Sequence, residues 1–274
     1  MNSAYKTQKD FVSAFAPAIT NELFTYTVGI IGILQKEPDE KISLLGTGSL
    51  IKTDCFYGIL TAEHVSREIK NFDEIGLSIG AVGENNLQLP RYERFIIEKM
   101  CLEVIEVFKS SDTAEGPDLG LVQILSCKAL DTLKAIKSFF NISIHRSKFL
   151  KNHQDFNSGI WALCGFPDEL TIREPSARKG YEYFIRYSPQ CYFIDQPIEK
   201  KDCGTYDLRK INFDYNKNKG LVKKFGGFSG GGLWKLTASN EEECKTKIPF
   251  LGGVIFFQEI INDHVCKIYM SWPS

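Results

Sequence analysis

The stretch Phe225-Gly226-Gly227-Phe228-Ser229-Gly230-Gly231-Gly232-Leu233-Trp234 decides how this chain is read. It sets one serine among glycines and runs at once into an apolar segment of strand character. Glycines there open turns that are closed to other residues and leave backbone N–H groups free to face a ligand. A serine in such a turn can act as a nucleophile, with the turn's amides holding the oxyanion that its attack creates. The run by itself also fits a phosphate cradle or a plain hairpin. It lacks the Gly-Lys-Ser/Thr ending of a P-loop, however, and it lies near the C-terminus rather than after a first strand.

Two upstream segments add weight. Leu60-Thr61-Ala62-Glu63-His64-Val65 follows Leu45-Gly46-Thr47-Gly48-Ser49-Leu50-Ile51-Lys52 and the apolar run 56–60. This order reads as strand, turn, strand, then one helical turn carrying His64. Further on, Gly116-Pro117-Asp118-Leu119-Gly120-Leu121-Val122-Gln123-Ile124 places a carboxylate at the mouth of an apolar strand. Asp112, in the polar loop 110–113, competes with Asp118. The strand after Asp118 would anchor its carboxylate beside the core, and Asp118 is preferred for that reason.

The segments GTGSLI, LTAEHV, PDLGLV and GFSGGG together make the chain resemble the chymotrypsin/trypsin-like serine proteases, including HtrA-like and bacterial cytoplasmic members. Histidine, aspartate and serine stand in that family's chain order, across roughly residues 24–270. The resemblance implies that Ser229 attacks the scissile carbonyl, His64 relays its proton and Asp118 orients His64. It also implies an oxyanion hole made by the N–H groups of Gly227 and Ser229. Imidazole, with an ordinary pKa of ~6.5, suits a base working near neutrality. Secreted zymogens of this family carry, just before the nucleophile, an aspartate that pairs with the freshly cut N-terminus. Here that residue is Phe228. Activation by that ion pair is therefore not expected, and the site is either formed in the native chain or assembled when a protein partner binds. A partner-gated protease of a bacterial defence system is one such expectation; a latent or degenerate protease acting as a peptide-binding module is the alternative.

The resemblance also places a specificity pocket. Its base falls about six residues before the nucleophile, at Lys223, where an acid would select basic side chains. Its walls would involve Phe256, Phe257, Gln258 and His264. A lysine or histidine in the pocket would favour an acidic or amide-bearing residue before the scissile bond. The bland reading of His264 is an ordinary strand-edge histidine.

Composition fits a folded, soluble enzyme; protein or peptide substrates are what the resemblance implies. The 274 residues are 43% hydrophobic and 12% aromatic, enough for one large or two smaller cores. A net charge of −1 implies no general attraction to nucleic acid or to an anionic membrane. The first residues do not read as a signal peptide, and no run approaches the ~20 apolar residues that span a bilayer. A cytoplasmic location is expected. The eight cysteines are scattered, without a Cys-x-x-Cys or Cys/His ligand pair, and read as reduced, core-filling thiols. No metal and no cofactor are expected.

Many short β-rich runs between turn residues predict an all-β fold. Strands are expected at 24–34, 42–52, 56–60, 75–79, 95–108 (two, or one bent) and 119–125. A helical interruption follows, where Leu130, Leu133, Ile136 and Phe140 recur at three- and four-residue steps. A second set is expected at 159–166, 181–187, 191–194, 208–215, 232–237, 249–258 and 264–270. With the resemblance, this becomes two packed six-stranded β-barrels with short helical insertions. The single peptidase domain would divide into a first barrel over about 24–126, a connecting segment over 127–157 and a second barrel over 158–274. The loosely amphipathic stretch 11–24 is expected to form a packed N-terminal arm, and the Lys-rich run before the nucleophile a solvated loop.

Overall fold

The strand set off by the alternation of Thr27, Val28 and Ile30 starts a sheet that closes upon itself. The computed structural model describes residues 8–35, 40–79, 95–108, 117–145, 160–175, 183–194, 198–214, 222–236, 249–262 and 265–273. The first sheet contains β1 (Thr27–Gln35), β2 (Glu40–Lys52), β3 (Tyr57–Thr61), β4 (Glu74–Ser78), β5 (Phe95–Glu98), β6 (Leu102–Phe108) and β7 (Leu119–Ile124). Their order is β5-β4-β1-β2-β3-β7-β6. A single 3₁₀ turn, Lys99–Cys101, separates β5 from β6, so one bent strand pairs with both ends of the sheet. Sharing that strand curls the sheet into a six-stranded ring and removes its free edges. A bulge between Ile30 and Ile31 adds to the curl. The two-residue strand β8 (Phe140–Asn141) lies parallel to the end of β2.

The second half is again antiparallel sheet. It holds β9 (Ile160–Gly165), the small hairpin of β10 (Ile172–Pro175) with β11 (Tyr183–Arg186), then β12 (Gln190–Ile194), β13 (Glu199–Asp202), β14 (Tyr206–Asp214), β15 (Gly232–Leu236), β16 (Phe250–Asn262) and β17 (Val265–Pro273). The main order is β12-β9-β15-β16-β17-β14-β13. The chain leaves β12 beside β9 and pairs again as β13 with β14. The all-β, trypsin-like architecture expected from sequence is the one observed, with the bent form of 95–108 realised.

Helices α1 (Gln8–Tyr26), α2 (Glu63–Glu68) and α3 (Lys128–Ile136) interrupt the strands. The N-terminal arm is longer than expected, because Phe24 to Tyr26 complete α1 rather than open a strand. Ile19, Leu23 and Phe24 share one face of α1 and are buried in a cluster fed by both sheets. Ile51, Leu60 and Leu119 enter it from the first sheet, and Ala162, Trp234 and Val254 from the second. Trp234 is fully buried, stacked 5.5 Å from Tyr26 and edge-on to Phe140 at 5.3 Å. Lys137 closes the end of α1: its Nζ donates to the carbonyls of Phe24 (2.6 Å) and Thr27 (3.1 Å). Burial pulls its pKa down to about 8. Among the described residues, no helix is long and apolar enough to cross a membrane.

Candidate active site

His64 is carried on α2, a helix too short to stand alone. Its place is set by packing on β7, where Gly120 leaves room for Ser66 and for the backbone of Glu63. Asp118, just before β7, is thereby brought beneath the imidazole. One carboxylate oxygen, Oδ2, lies 2.5 Å from His64 Nδ1, and the other, Oδ1, accepts the His64 backbone N–H at 3.1 Å. The Asp118 side chain is 7% exposed and that of His64 38%. This two-point grip fixes the ring's orientation and assigns its proton to Nδ1, which leaves Nε2 as an acceptor on the open side.

Ser229 comes from the other sheet, on the turn before β15. A Cβ at Gly46 would come within 2.7 Å of both the Ser229 carbonyl oxygen and a Val65 methyl group. The nucleophile turn and α2 thus approach each other across the Gly46–Thr47 segment of β2. Thr47 makes the join. Its N–H donates to the Ser229 carbonyl (2.8 Å), and its Oγ1 donates to the Gly227 carbonyl (2.7 Å) while accepting from Phe166 N–H (2.9 Å). The turn needs glycine at 227 and 230, where φ is +80° and +88°. Among the described residues, the N–H groups of Gly227 and Ser229 have no internal acceptor, and the Ser229 hydroxyl makes no hydrogen bond.

Phe228, in the place of the zymogen aspartate, is completely buried. It stacks on Tyr192 at 5.8 Å and meets Phe225 edge-on at 5.2 Å. The preceding segment is held by side chains rather than by a ladder. Glu169 Oε2 accepts from both Lys223 N–H and Lys224 N–H at 2.9 Å. Gln258 donates through Nε2 to the Lys223 carbonyl (3.0 Å) and accepts at Oε1 from Phe225 N–H (2.9 Å).

The expected pocket residues therefore separate. Lys223 is exposed and Gln258 spans the segment before the nucleophile. Phe257 is 40% exposed and rests edge-on against Tyr269. Phe256 turns into the core at 6% exposure, so it would meet a peptide only through its backbone. His264 and Asp112 lie outside the described residues.

Asp168, on the far side of the turn, donates its N–H to the Gly226 carbonyl at 2.8 Å, and burial raises the pKa of its carboxyl. Nearby, burial and then the charge of Asp168 push the Tyr187 phenol up to about 12. Among the described residues, no group of His, Cys, Asp and Glu could hold a metal ion. The described cysteines carry free thiols, with Cys164 Sγ 3.2 Å from Cys191 Sγ.

Sequence reading missed Thr47, Glu169 and the clamp made by Gln258. Thr47 stood within the quoted GTGSLI, but a β-branched hydroxyl residue in an apolar run reads simply as a strand former.

No family model matches the chain. No curated protein matches it either. Among solved structures, the active form of the Rv3671c protease from M. tuberculosis is similar over 93% of this chain and 78% of that one, with 13% sequence identity and a TM-score of 0.38.

Proposed function

We propose that this protein is a serine endopeptidase that hydrolyses peptide bonds of protein substrates. The observation that carries the reading is the two-point hold of Asp118 on His64, at Nδ1 and at the backbone N–H. A carboxylate so placed leaves Nε2 unprotonated and stabilises the imidazolium that forms when it takes a proton. Ser229 Oγ would add to the substrate carbonyl carbon while its proton passes to His64 Nε2. The carbonyl oxygen becomes an oxyanion facing the Gly227 and Ser229 N–H groups. Collapse of this intermediate breaks the C–N bond, and His64 returns the proton to the leaving amine. Water, activated by the same histidine, then releases the acyl group. An oxyanion donor of this kind is worth roughly 2.7–4 kcal/mol in the transition state.

Labelling with a fluorophosphonate tests the reading. In that reaction the Ser229 Oγ–P bond forms, the P–F bond breaks, fluoride leaves, and the serine proton passes to His64. The wild type is expected to label stoichiometrically, with labelling abolished in Ser229→Ala and reduced at least about 1000-fold in His64→Ala. A folded wild type that stays unlabelled would favour the alternative, a latent site awaiting a partner or a peptide-binding module.

A further inference from the structure

We propose that Thr47 is a positioning residue that holds the peptide planes on either side of the Ser229 N–H in the resting chain, so that the oxyanion turn needs no activating partner to form. The inference rests on the serine-protease reading and concerns how that same site is regulated.

A trans peptide is planar, so fixing its carbonyl fixes the direction of the N–H across it. The relevant carbonyls are those of Gly226, Gly227, Phe228 and Ser229, and each accepts a hydrogen bond. Gly226 O is held by Asp168 N–H (2.8 Å) and Phe228 O by Gly231 N–H (2.8 Å). Gly227 O is held by Thr47 Oγ1 (2.7 Å) and Ser229 O by Thr47 N–H (2.8 Å). The Gly226 and Phe228 carbonyls share their planes with the unpaired N–H groups of Gly227 and Ser229, and the two planes that Thr47 holds lie on either side of the Ser229 N–H.

Glycines at 226 and 227 impose little preference of their own, since both signs of φ are open to them. The peptide between 227 and 228 is held at its N–H end by the Phe225 carbonyl (3.0 Å) and at its carbonyl end by Thr47. Among the described residues, Thr47 supplies the only side-chain donor to these carbonyls. Its hydroxyl cannot drift, because Thr47 is fully buried and Oγ1 also accepts from Phe166 N–H at 2.9 Å. Its own carbonyl is held by Thr61 Oγ1 at 2.6 Å. Thr47 belongs to the sheet that carries His64, and the turn belongs to the other, so one side chain registers nucleophile against base. Phe228 adds an independent observation. It is sealed in aromatic packing, so the position next to the nucleophile has no charge waiting for a newly cut terminus.

The test compares fluorophosphonate labelling rates of the purified full chain with those of Ser229→Ala, Thr47→Ser, Thr47→Val and Thr47→Ala across pH. Thr47→Ser keeps the Oγ and is expected within about threefold of wild type. Thr47→Val keeps the shape but loses the donor, and its plateau rate is expected to fall about 100-fold, as for loss of one oxyanion donor. The midpoint of its pH–rate curve should stay where the wild type has it, since His64 and Asp118 are untouched. Thr47→Ala, with less bulk to place, reads the same loss should the valine variant not fold. Wild-type labelling that depends on Ser229, with folded Thr47→Val or Thr47→Ala equally fast, overturns the role of Thr47 and leaves the protease reading intact. A shifted midpoint, or a Thr47→Ser variant as slow as Thr47→Val, also overturns it, because a general loosening then explains the loss. A wild type that labels no faster than Ser229→Ala overturns both.

Discussion

At the scale of single residues, the site depends on which atom carries a proton. Asp118 meets His64 with both oxygens, as acceptor from the ring Nδ1 and from the backbone N–H. Asparagine there would present an amide N–H₂ to one of those positions. If it faces Nδ1, the ring proton must move to Nε2, and the acceptor is lost from the open side of the ring. Asp118→Asn is therefore expected to slow fluorophosphonate labelling by roughly 10³–10⁴-fold with the fold retained. Circular dichroism checks the fold, and a loss below tenfold would count against the proposed role of Asp118. Two of the residues this argument needs, His64 and Asp118, were readable from short motifs. The hydroxyl of Thr47 was not, because its partners are 119 and 180 residues away along the chain.

At the scale of elements, short pieces take their positions from what they pack on. α2 has six residues and no side-chain N-cap, so its register comes from β7 and from the room left by Gly120. α1 is long, but its closing turn relies on Lys137, whose ammonium caps two carbonyls from within a partly buried site. That burial has a definite pH signature. The folded-state pKa is about 8, against an ordinary lysine value of 10.5, so between those pH values the unfolded chain binds more protons than the folded one. Stability contributed at this site should therefore rise as pH goes from 8 to 10.5, with a slope of at most about 1.4 kcal/mol per pH unit. Urea unfolding at pH 8, 9 and 10 would measure it. In Lys137→Met this increment should vanish, and the variant should be less stable at pH 8 because the Phe24 and Thr27 carbonyls lose their donor. Equal pH slopes in the two proteins would rule the account out.

At the scale of the whole molecule, the two rings of strands share one core cluster, capped by α1. That cluster draws side chains from both sheets, so the two halves should unfold together. All three tryptophans, Trp161, Trp234 and Trp272, lie in the second sheet, so fluorescence reports that half while far-ultraviolet circular dichroism reports both. Coincident denaturation curves by the two probes are expected. An earlier fluorescence transition would mean that the second ring opens independently. Cooperativity at this scale matters to the candidate site as well, because the turn that carries Ser229 and the helix that carries His64 approach each other across the Gly46–Thr47 segment of β2.

By itself the sequence determined the strand-rich class, the approximate strand positions and the order histidine, aspartate, serine. It could do so because these rest on local matters: apolar alternation, glycine turns and a few adjacent residues at each motif. The extent of α1 and the inward turn of Phe256 needed the tertiary structure, since burial against another element overrides local pattern. The closing of the first sheet through a bent strand, the clamp of Gln258 and Glu169 and the grip of Thr47 were likewise decided only there. Each is a contact between groups far apart in the chain, and no local periodicity records which carbonyl a distant hydroxyl will reach.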